Sequence, residues 1–83
     1  MSLEYYKKQM VDLRAKLQKE KDAKKKDNEY YANLVKNASS PSSKASYRKS
    51  KIDHAASHDR QIESIKRQIE TCKDNIARER KRK

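Results

Sequence analysis

His54 and His58 stand four residues apart, a spacing that puts two imidazoles on one face of a helix where both could reach one metal ion, with Asp53 and Asp59 beside them. The residues between them are Ala55, Ala56 and Ser57, so the glutamate that follows the first histidine of a helical zinc-hydrolase motif is missing. Cys72 is the single cysteine. A nucleophilic thiolate needs a base within hydrogen-bond reach, and both histidines lie two or more helical turns away toward the middle of the chain. No nucleophile, base and acid can be brought together. The sequence therefore predicts a non-enzyme, with no catalytic residue, metal ligand set, cofactor or small-molecule substrate. Cys72 reads as a small apolar filler in a reducing compartment, and the histidines as two imidazoles in a polar setting.

The remaining candidates for chemistry are cations. The chain has a net charge of +11 and a pI near 9.9, which fits an acidic partner such as nucleic acid or an anionic surface. Residues 1–41 carry a net +4 and residues 42–83 a net +7. The run Lys24, Lys25, Lys26 and the tail Arg78, Arg80, Lys81, Arg82, Lys83 are the candidate anion-binding residues. Elsewhere Lys and Arg alternate with Asp and Glu as on any long solvated helix, and no zinc-finger or RRM signature is present. Binding of nucleic acid through these residues is expected to be weak and salt-sensitive.

The elements that must hold these residues are helices. Ile62, Ile65, Ile69, Cys72 and Ile76 recur at alternating steps of three and four, which keeps one narrow apolar stripe on one side of a helix. Leu3, Tyr6, Met10, Leu13 and Leu17 repeat the pattern, and the same frame continues through Glu20, Lys24 and Asp27 to Tyr31, Leu34 and Ala38. There is no Gly and a single Pro, and 42% of residues are charged. These features disfavour β-structure and phosphate-binding loops and leave room for only a thin core. No apolar run reaches the ~20 residues of a membrane span, and no secretory h-region is present, so a cytoplasmic protein without a membrane span is expected.

Ser40 followed by Pro41 marks a break and a new helix start, because a hydroxyl caps free amides and proline is tolerated in the first turn. Ser2 and Glu4 mark the start of the first helix. The expected fold is all-α: an antiparallel two-helix hairpin with helix 1 over about 3–37, a turn at 38–41, helix 2 over about 42–80 and a basic tail at 78–83. When the chain reverses at Pro41, Leu17 meets Ile65, Leu13 meets Ile69, Met10 meets Cys72 and Tyr6 meets Ile76. The same register sets Glu20 opposite Ile62, Lys24 opposite His58, Asp27 opposite Ala55 and Tyr31 opposite Lys51. The predicted seam is Leu3, Tyr6, Met10, Leu13, Leu17, Tyr31, Leu34, Ile62, Ile65, Ile69, Cys72 and Ile76. A seam this thin predicts association into a helical bundle, most simply as a homodimer or with a helical protein partner. Tyr5, Met10, Val11, Tyr30, Val35 and Ile52 would add a second apolar edge.

The opening Met1-Ser2 with Tyr5-Tyr6-Lys7-Lys8, the leucines at 13 and 17, the Ser-rich turn Asn37 to Ser43 followed by Lys44, Ser46 and Arg48, and the repeat Ile62/Ile65/Ile69 resemble the N-terminal coiled-coil segment of bacterial TIR-domain proteins. The likeness spans nearly the whole chain. It implies a helical hairpin that promotes self-association beside a NAD-consuming TIR domain. No TIR domain is present in these 83 residues, so no catalytic residue carries over. A lesser likeness is to the small helical partners of type VII secretion substrates, although the Trp-x-Gly turn of that group is absent.

Overall fold

The computed structural model describes residues 3–82; the predicted cap Ser2 and the last tail residue, Lys83, lie outside them. Two helices account for nearly all of this span: α1, Leu3–Asn37, and α2, Pro41–Lys81. They lie side by side as an antiparallel hairpin measuring 66 × 14 × 12 Å. A helix of 41 residues rises about 60 Å, so α2 alone sets the long dimension. The charged stretch Lys19 to Asp27 stays helical because it contains only good or tolerated helix formers.

The reversal takes three residues, Ala38 to Ser40. Ser40 has extended backbone (φ −128°, ψ 151°), as expected for the residue before a proline, and its Oγ accepts the Ser43 N–H at 3.1 Å. Its hydroxyl also donates to Ser43 Oγ at 3.0 Å, and its carbonyl accepts the Lys44 N–H at 3.1 Å as the first bond of the new helix. Pro41 is therefore the first residue of α2 and not part of the turn. At the other end α2 runs to Lys81, so Arg78, Arg80 and Lys81 of the basic tail lie in its last turn. Cations there complement the negative end of the helix dipole.

The core occupies the end of the hairpin away from the turn. Met10, Leu13, Ile65, Ile69 and Cys72 are buried in one cluster, with Tyr6, Leu17 and Ile76 packed against it. Ile62 is buried just beyond. In helix pairs of this kind each side chain enters a hole of four residues at i, i+3, i+4 and i+7 of the facing helix. Cys72 fits that description, seated among Tyr6, Met10 and Leu13, only 2% exposed, with its thiol donating to the Tyr6 carbonyl at 3.0 Å. Leu3, Tyr31 and Leu34 are half-buried. Met10 belongs to the seam and contributes nothing to a second edge, whereas Tyr5, Val11, Tyr30 and Ile52 are exposed.

Candidate functional site

The frame that carries leucines and isoleucines through the core continues into charged residues. On α1 it passes through Glu20, Lys24, Asp27 and Tyr31; on α2 it reaches His58. The holes-of-four geometry places His58 over Glu20, Ala23, Lys24 and Asp27. The imidazole settles between the two acidic corners, with Nδ1 2.5 Å from Glu20 Oε1 and Nε2 2.6 Å from Asp27 Oδ2. Its side chain is 18% exposed, against 26% for Glu20 and 37% for Asp27. Lys24 turns aside to pair with Asp59, Nζ to Oδ1 at 2.6 Å. His54 Nδ1 lies 3.4 Å from the same Asp27 oxygen, and its Nε2 is 3.2 Å from Tyr31 Oη. The Tyr31 ring leans on the His54 ring at a centroid distance of 4.9 Å.

This arrangement has one clear electrostatic consequence. A neutral imidazole donates from one nitrogen only and would turn a lone pair toward the other carboxylate, whereas an imidazolium donates to both. The hydrogen bonds to Glu20 and then to Asp27 accordingly raise the His58 pKa above its ordinary 6.5 against the opposing effect of burial. The Asp27 carboxyl is held below its ordinary 3.8, chiefly by its bond to His58 and less by His54. The cluster ties the two helices together through His58 and two carboxylates, most strongly when the imidazole is protonated.

The sequence register sets Lys24 against His58 and does not predict this clasp. Numerical register identifies the centre of the hole that His58 enters but says nothing about which corner its nitrogens choose. The signal was nevertheless present, since Glu20 and Asp27 sit in the seam frame one turn either side of Lys24.

Among the described residues no group of three or more His, Cys, Asp and Glu side chains could hold a metal ion. Both histidines instead face carboxylates and a tyrosine. An open groove bordered by Gln9, Asp12, Leu13, Lys16 and Gln68 lies away from the histidines. The anion-binding candidates are dispersed. Lys24 is engaged with Asp59, while Lys25 and Lys26 are exposed. Arg78, Arg80, Lys81 and Arg82 are also exposed, with Arg78 donating to Asn75 Oδ1 at 3.2 Å and Arg82 paired with Glu79 at 3.5 Å.

Comparison with known proteins gives no match to a family model, a curated protein or a solved structure. No helix among the described residues is long and apolar enough to cross a membrane.

Proposed function

We propose that this chain is a non-catalytic helical-hairpin module of the cytoplasm that acts by associating with a second copy of itself or with a helical partner. The observation that carries this reading is the mismatch between length and core. Among the described residues six buried side chains serve a hairpin 66 Å long, while Val11, Tyr30 and Ile52 remain exposed outside the seam. A two-helix unit with so narrow a core gains stability by packing a further helix against its outer apolar positions. The likeness to the N-terminal coiled-coil segment of bacterial TIR-domain proteins, where such a hairpin promotes self-association, supports the same reading. The seam itself is occupied within the chain, so the outer positions are the surface that association would use.

Sedimentation equilibrium at several protein concentrations tests this. A dimer is expected in the micromolar range, with a melting temperature that rises with concentration. Replacing Val11 and Ile52 by serine is expected to weaken association while leaving the hairpin helical at high concentration. A stable monomer with a concentration-independent melting temperature would overturn the reading.

A further inference from the structure

Charge is segregated along the hairpin. In the middle, residues 11–29 and 53–71 hold ten Lys or Arg against nine Asp or Glu, close to neutrality. The end built from residues 3–10 and 72–82 holds seven cations and three carboxylates, and some of its cations are already engaged, as the Arg82–Glu79 and Lys73–Glu70 pairs show. The turn end differs from both. Residues 30–52 contain Lys36, Lys44, Arg48, Lys49 and Lys51 and no carboxylate at all. None of these five is ion-paired with a described residue. Residue 30 is ten positions from the cap Ser40, so the five cations lie within about 20 Å of the tip. Mutual repulsion of five unpaired cations disfavours the free tip, and an extended polyanion relieves it.

We propose that the turn end binds the phosphate backbone of nucleic acid, without reading base sequence, through Lys36, Lys44, Arg48, Lys49 and Lys51. The tip chemistry suits phosphate better than a bilayer. Between residues 38 and 46 the side chains are Ala, Ser, Pro and Lys, and Ser39, Ser42 and Ser46 are exposed hydroxyls. Lysine, arginine and serine are the side chains that fix proteins to phosphates. Peripheral membrane helices combine cations with large apolar groups that enter the lipid. Here Leu34, Val35 and Tyr47 are half-buried against the hairpin, and the exposed Tyr30 and Ile52 stand back from the tip. Val11 lies outside this end, whereas Ile52 adjoins Lys51 and stands one helical turn from Arg48 and Lys49, so V11S alone separates the association test from the binding test.

Fluorescence anisotropy with labelled DNA and RNA of about 30 nucleotides, single-stranded and duplex, at about 50 mM salt tests the proposal. Binding is expected for several unrelated sequences with similar affinity, with log affinity falling against log salt at a slope of about −3 to −4 for single strands. Reversing Arg48 and Lys49 to glutamate is expected to weaken binding at least about tenfold and to make the slope shallower by about 1 to 2. Reversing Arg80 and Arg82 is expected to cost less than about threefold. Circular dichroism checks that the variants remain helical, and the neutral pair K36Q and K49Q, expected to reduce the slope in the same direction, replaces the reversal if that variant unfolds. Equal losses from the two ends, no binding by the unaltered chain, or marked preference for one sequence would overturn the proposal. So would capture by phosphatidylserine vesicles, lost on tip reversal, in the absence of oligonucleotide binding.

Discussion

The two halves of the hairpin use one heptad frame for opposite purposes. From Leu3 to Leu17 and from Ile62 to Ile76 the frame is apolar, and the helices adhere by burial, which has no preferred direction and little dependence on pH. From Glu20 to Tyr31 and from His54 to Asp59 the frame is polar, and the helices are joined by directional contacts among histidine, carboxylate, lysine and tyrosine side chains. The contrast shows how adhesion and alignment are divided. Apolar knobs tolerate a slip of one layer in one direction, where Ile65 and Ile69 would face Leu13 and Met10. A slip would carry His58 away from Glu20 and Asp27, so the polar half favours one register.

The largest effect is expected at the apolar end. Replacing Ile65 and Ile69 together by asparagine removes two buried side chains, each worth about 2 to 5 kcal/mol in large-to-small substitutions, and leaves polar amides in the seam. Loss of most helical circular dichroism at micromolar concentration is the expected outcome. A variant that stays helical would show that the polar half suffices.

At the polar end the effect should be smaller and dependent on pH. His58 has a folded pKa above 6.5, so its contribution is complete below that value and is lost as pH rises through the folded pKa. Asp27 has a folded pKa below 3.8, so its contribution is present above that value and is lost as pH falls through the folded pKa. Together they predict greatest stability in the weakly acidic range between the two, with the melting temperature falling on either side. Thermal melts from pH 3 to 9 test this, and H58Q is expected to remove the decline on the alkaline side. An unchanged alkaline limb in H58Q would assign the decline to other groups.

The smallest effect is expected outside the seam. Lys73 and Glu70 form an exposed i,i+3 pair at 3.3 Å. K73Q should change stability by less than about 0.5 kcal/mol in urea unfolding. A larger loss would mean that surface pairs share the alignment work with the seam.

Much of this fold was legible in the sequence because its determinants are periodic or local. The three-four spacing of Ile62 to Ile76 needs no tertiary information, and Ser40-Pro41 announces a cap through backbone chemistry alone. The observed bounds of α2, Pro41 and Lys81, each lie one residue outside the expected 42 and 80. The clasp around His58 was less legible because three charged residues in the seam frame admit several pairings. Only the placement of the imidazole between two carboxylates, with Lys24 drawn to Asp59, selects among them. The cations of the turn end were visible as composition, but that none of them pairs with a carboxylate of a described residue emerges when the chain is folded back on itself.

The position of the core has a bearing on how the chain reaches its native state. Cys72 and Tyr6 are joined across 66 residues, whereas the ties of the polar half span 23 to 38. Closing the longer loops costs more chain entropy, and the apolar reward arrives only afterwards. Zipping outward from Ser40 passes Leu34, Val35 and Tyr47 and then the histidine clasp before it reaches the core, so the charge state of His58 is expected to bear on how readily the two arms pair.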